Sequence, residues 1–126
     1  MNDFIQKLLN TEDTTNQYDA QDIETNKIFA LFAYLGILIL IPVFAAKDSK
    51  FAKYHINQGL TLIICGFVIE IVLGILIRIP VLGIIFGIIA SLYGLVVLAM
   101  IVVGILNALN GKAKQLPIIG KFTLLK

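Results

Sequence analysis

Residues 28–46 read IFALFAYLGILILIPVFAA, a run of 19 residues without a charge. As a helix it is about 28 Å long, which matches the hydrocarbon thickness of a bilayer. Two further runs follow. Residues 59–79 are apolar except for Glu70 near the middle and Arg78 at the end, and residues 81–107 carry no charge. Pro80 and Gly83 separate them with almost no polar linker, so the turn is expected to be tight and to sit near the interface. In hydrocarbon every backbone N–H and C=O must find a partner inside the protein, which favours helices. The sequence therefore predicts an all-α integral membrane protein with three transmembrane helices, at about 28–46, 59–79 and 82–107. The third run would be about 40 Å long if wholly helical. It is expected to tilt, to extend past the bilayer or to start later than Val81; if it instead turns back as a re-entrant hairpin, the C-terminus changes sides. A cleavable secretory signal fits the first run poorly, because the run is long and acidic residues precede it.

Composition agrees with lipid as the solvent. Hydrophobic residues make up 59% of the chain and charged residues 14%, with a mean hydropathy of +0.94. Soluble domains run at about 45–50% and 25%. A length of 126 residues allows one domain, read as a polar acidic tail over 1–27 and a helical membrane domain over 28–126. One Cys excludes an internal disulfide, and one His excludes an HExxH site.

Charge is unevenly placed. Residues 1–27 hold six acids against two lysines. The segment 47–58, KDSKFAKYHINQ, and the segment 108–126 together hold seven of the nine lysines. Nucleic acid is excluded as a partner, since a phosphate footprint needs a basic folded face. The run Thr11–Gln17 is too polar to pack and reads as a flexible linker. Before it, Phe4, Ile5, Leu8 and Leu9 recur at helical spacing behind Asp3, which suggests a frayed terminus or a short amphipathic helix. Segment 47–58 reads as an interfacial elbow: the rings of Phe51 and Tyr54 rest among headgroups while Lys50 and Lys53 reach water. Pro117 and Gly120 break the tail 108–126, which reads as an interfacial anchor with snorkelling lysines. Three spans put the two lysine clusters on one side. The positive-inside rule then predicts an outside N-terminus and an inside C-terminus in a bacterial cytoplasmic membrane.

Glu70 is the sharpest candidate for a functional group. A carboxyl at mid-bilayer is costly and usually faces a bundle interior. Folding the hairpin at residues 80–81 places it level with Ser91, with Tyr93 and Tyr34 at similar depth. It reads either as a protonated carboxyl that joins helices or as a proton, ion or substrate site. Gly83, Gly87, Ser91 and Gly94 form a ridge of small residues suited to close helix packing, within one protomer or between copies, and Gly104, Ala108 and Gly111 continue the spacing. His55, Asn57 and Gln58 form a polar cluster entering the second span, read as helix entry with headgroup hydrogen bonds. A lone His is weak evidence for a metal, so no metal or cofactor is expected. Cys65 reads as inert packing. No catalytic triad, carboxylate pair, P-loop or dinucleotide fingerprint is present, so the chain is not expected to be an enzyme.

The strings AYLGILILIP, Phe51-Ala-Lys-Tyr-His55-Ile-Asn-Gln58-Gly59-Leu60 and LPIIG before a lysine resemble a family of small bacterial membrane proteins. That family is similar to the chloroplast inner-envelope import component of about twenty kilodaltons. The resemblance covers roughly residues 28–120. It implies a helical membrane protein in an assembly, with Phe51, His55 and Gln58 as hallmarks without an assigned role. The plastid protein has four spans, one more than expected here. The leading functional expectation is a non-enzymatic subunit or adaptor of a membrane complex, related to protein transport through the resemblance. Its partners would be the lipid bilayer and either another membrane protein or further copies of the chain. The alternative is a small pore-former, transporter or holin-like protein that uses Glu70. A lipid-modifying enzyme would have only His55 with Ser49 or Asp48 to work with.

Overall fold

A computed structural model describes residues 10–117, together with Asp3, Gln6, Lys7 and Ile119. Phe4, Ile5, Leu8 and Leu9, and most of the tail after Pro117, lie outside the described residues, so the amphipathic-helix reading does too. The elements are α1 (Ala20–Leu31), α2 (Leu40–Ala45), α3 (Lys50–Leu76) and α4 (Leu82–Leu109), with short 3-10 turns at Thr15–Gln17, Phe32–Tyr34 and Gly36–Ile39.

Among the described residues, only α3 and α4 are long and apolar enough to cross a bilayer. Only 22% and 11% of their most apolar windows are buried. The core helix of a soluble protein would be mostly covered, so apolar surface on this scale identifies a membrane protein. α3 contains no proline. It ends before Pro80, which lacks an N–H and disfavours helical geometry in the residue before it. Val81 takes a φ of 69°, and a Cβ on Gly83 would stand 2.0 Å from the Ile77 carbonyl oxygen. The expected tight turn is present, and at this position glycine is obligatory. α4 is one continuous helix, so the 81–107 run does not turn back. It closes in a Schellman motif: Gly111 has φ 69°, Lys112 N–H donates to the Asn107 carbonyl at 2.8 Å, and Gly111 N–H donates to that of Ala108 at 3.1 Å.

The first run departs from the expected span. Residues 28–46 do not form one helix. α1 starts eight residues earlier and stops at Leu31, Gly36 reverses the chain with φ 67°, and α2 follows as a six-residue helix. The two ends of this excursion meet. Asp22 accepts hydrogen bonds from the Ser49 hydroxyl and, at 3.0 Å, from the Phe51 N–H. A segment that leaves and returns to one place is a re-entrant hairpin. Its depth can be read along α3: Asp22 sits at Phe51, while a Cβ on Gly59 would stand 2.0 Å from the Ala33 carbonyl oxygen. Those eight residues measure about 12 Å, less than half of a hydrocarbon core of about 30 Å. Where three spans were expected, the described residues thus hold two helices long enough to cross, and residues 28–46 fold back beside the first of them.

This changes the expected topology. Thr14 N–H donates to the Ala113 carbonyl at 2.9 Å, and Gln115 N–H donates to that of Glu12 at 3.0 Å. An isolated antiparallel bridge pairs Asp13 with Lys114. The two tails touch, so they cannot lie on opposite sides of a membrane, and the outside-to-inside arrangement is corrected. Residues 12–15 are also bonded in place rather than free as a linker. The reason is parity: two crossings return the chain to its starting side.

Packing is concentrated at that end. Nine of the thirteen residues 50–62 are buried, against one, Leu73, of residues 63–99. The buried end gathers α1, the re-entrant turn, the first half of α3, the last turns of α4 and the paired tails. Beyond Leu62, α3 and α4 run on as a bare two-helix hairpin.

Candidate functional site

The buried end is organised by the FAKYHINQ segment. It is not a separate elbow but the first two turns of α3. Ser49 caps α3, accepting from the Ala52 N–H at 3.0 Å, and Asp22 adds a carboxylate at the same helix N-terminus. Both satisfy N–H groups that the helix leaves without partners, and a negative charge there is favoured by the helix dipole. Burial raises the Asp22 pKa, but hydrogen bonds from Ser49, Phe51, Asn26 and Lys50 outweigh it and hold the carboxyl below its ordinary 3.8. Asp13 is also held low, first by the Thr15 hydroxyl and N–H.

His55 is completely buried, as is Phe51. The expected placement of the Phe51 ring among headgroups is therefore corrected, whereas Tyr54 is half-buried. Phe51, Tyr54 and Tyr34 stand edge-on around the imidazole, with centroids at 4.9, 5.4 and 5.6 Å. Tyr18 packs edge-on against both Phe51 and Tyr54. Both ring nitrogens are engaged. The Lys112 carbonyl, 2.8 Å from Nε2, can only accept, so Nε2 carries the proton. Nδ1 then accepts from the Tyr34 hydroxyl at 2.6 Å. In this arrangement neither nitrogen has a lone pair to offer a metal or a proton to trade. Three residues on, the Gln58 side-chain oxygen accepts from the Leu116 N–H at 2.8 Å. His55 and Gln58, one turn apart, thus hold the 112–116 segment down. With Ala113 and Leu116 buried, that part of the tail is folded onto the protein rather than anchored among lipids.

Glycines set the close approaches, though not those of the expected ridge. Gly87 and Gly94 have nothing within 4 Å of an added Cβ, and Ser91 is exposed with its hydroxyl donating to the Gly87 carbonyl at 3.1 Å. Of that ridge only Gly83 is tightly enclosed. A Cβ on Gly104 would stand 2.3 Å from the Tyr34 ring, and one on Gly111 would stand 2.7 Å from Ile23. The Gly104–Ala108–Gly111 spacing is thus the one that packs, against the re-entrant segment.

Glu70 opens to the outside rather than into a bundle interior. It borders a crevice of about 350 Å³ between α3 and α4, with Tyr93, Ala90, Gly66, Gly74 and Gly94 among the lining residues. Tyr93 therefore shares its site, whereas Ser91 points elsewhere. Tyr34 is at a different depth, beside His55, some fifteen residues or about 22 Å along α3 from Glu70. A second groove, of about 580 Å³, lies at the buried end between the start of α1 and residues 44–50, with Asp19, Asp48, Lys47 and Lys50 on its walls. Sequence reasoning passed over Asp22 and Tyr18, which carry no local motif signal. Among the described residues no group of three His, Cys, Asp or Glu side chains could hold a metal.

Two exposed apolar helices closed at one end by a buried polar latch define a small helical membrane protein. A model of the magnetosome magnetite crystal formation protein family matches residues 25–123, and the chain belongs to that family. The match covers the residues that carried the resemblance to the plastid import component, and it overturns that resemblance. Neither curated proteins nor solved structures gave a match.

Proposed function

We propose that this protein is a non-enzymatic component of a membrane at which magnetite crystals form, and that it acts there as a subunit or adaptor. The observation that carries this reading is the family match over residues 25–123 on a chain with two exposed apolar helices. The dense end presents Lys47, Lys50, Lys53, Lys112 and Lys114 together with Asp19, Asp48 and the paired tails, whereas the far turn offers Arg78 as its one charge. By the positive-inside rule the dense end faces the cytoplasm, with both tails there. The polar groups available to a mineral or a protein partner are then concentrated on one side. A pore built on Glu70 has less support, because that carboxyl opens from a two-helix hairpin rather than into an enclosed channel.

Iron co-precipitation in the presence of proteoliposomes tests the reading. Vesicles carrying the protein should give magnetite with a size distribution different from that of empty vesicles at equal lipid. Identical crystals at every protein density would refute it.

A further inference from the structure

The re-entrant hairpin adds two packed arms to one end of the molecule and nothing to the other. Its outer surface is apolar: Ile28, Ile37, Leu40 and Phe44 are exposed along a run with no charge between Ile28 and Ala46. Such a surface belongs in lipid, not above it. The segment descends about 12 Å beside α3, so it occupies one leaflet only. At that level the protein cross-section holds four helical segments, namely α1, the 36–45 arm, α3 and α4. Beyond Leu62 it holds two, with one buried residue in the whole of 63–99.

We infer that the fold is a wedge that selects curved bilayers, favouring those in which the leaflet around the dense end is convex. Material inserted at shallow depth in one leaflet spreads its headgroups relative to the opposite leaflet, which is the physical basis of curvature-sensitive binding by interfacial helices. Here the insert is tethered to two spans, so the preference is fixed to the molecule's orientation. The ligand is the bilayer itself, and the surface that recognises it runs from Ile28 to Phe44. The inference goes beyond the crystal-formation reading and holds whichever compartment the dense end faces. Its test contains no mineral, so the two can fail separately.

The experiment uses the full chain with Cys65→Ser and a fluorophore on Lys47→Cys, an exposed position, in giant vesicles of phosphatidylethanolamine and phosphatidylglycerol. Membrane tubes are pulled at decreasing radius. A membrane-impermeant quencher separates molecules with the dense end outward from those with it inward. The outward population should be enriched severalfold on narrow tubes relative to the parent vesicle, and the inward population depleted. The two orientations control for each other, because they share sequence, label and fold. Equal densities of both at every radius, or enrichment of the inward population, would overturn the inference.

Discussion

Replacing Gly59 by alanine puts one methyl group where the structure has no room for it. The new Cβ would stand 2.0 Å from the Ala33 carbonyl oxygen and 2.8 Å from its carbon. An ordinary carbon–oxygen contact is about 3.3 Å, so the re-entrant segment must retreat by more than about 1 Å. Both crowded atoms are backbone, and no rotamer relieves them. Overpacking of this kind costs about 1–3 kcal/mol. The retreat also draws the neighbouring Tyr34 away from His55, leaving a buried hydrogen bond unmade at about 1–3 kcal/mol. Alanine's better helix propensity returns only about 1 kcal/mol. A net loss of about 1–5 kcal/mol is expected. Gly94→Ala is the matched control on α4: nothing lies within 4 Å of its added Cβ, so it should be neutral or gain up to about 1 kcal/mol. Equilibrium unfolding in mixed micelles, followed by circular dichroism, measures both. Equal stabilities for the two variants would refute the re-entrant packing.

Other outcomes follow from the same geometry. Tyr34→Phe should cost about 1–3 kcal/mol, because His55 Nδ1 is left without its partner; stability equal to the wild type would contradict the buried Tyr34–His55 hydrogen bond. Asp22 has a folded pKa below 3.8, so its contribution is complete above that value and is lost as pH falls through the folded pKa. The melting temperature of Asp22→Asn should therefore fall less steeply in acid than that of the wild type, and parallel profiles would argue against the cap. In a Cys65→Ser background, impermeant maleimide should reach cysteines placed at Asn16 and Lys47 from one side of the membrane and at Arg78 from the other. Labelling of Asn16 and Lys47 from opposite sides would restore a three-span topology. Glu70→Gln should leave proton flux through proteoliposomes unchanged, and a drop in flux would revive the pore.

Much of the membrane half was legible because hydropathy reports length and composition directly. The two apolar runs after Gln58 became α3 and α4, and Pro80 with Gly83 marked a tight turn. The first run misled for a physical reason. Nineteen uncharged residues are long enough to cross, and the contact showing that they do not cross joins Asp22 to Ser49, 27 residues apart. Gly36 and Pro42 were visible inside the run, but a kinked span and a reversal share those residues. The elbow was found as a cluster and misplaced in its environment. Phe51 and His55 have the aromatic character of interfacial residues, and only the approach of Tyr18 to Phe51 and the return of Lys112 to His55 show that they are covered. Likewise Gly94 and Gly104 have the same spacing credentials, and what separates them is Tyr34, seventy residues earlier in the chain.

The pairing of the tails also sets an order of events during synthesis. Thr14 finds its acceptor on Ala113, and His55 finds one on Lys112, so the first described segment and the elbow must both wait for the last. Until residues 112–116 leave the ribosome, the hairpin over 28–46 has its own closure, Asp22 on Ser49 and Phe51 and Tyr34 on His55, but His55 Nε2 and the Gln58 side-chain oxygen still lack the tail groups they bind. Closure of the dense end is thus a late step of high contact order, because its last hydrogen bonds join residues 14, 55 and 58 to residues 112–116.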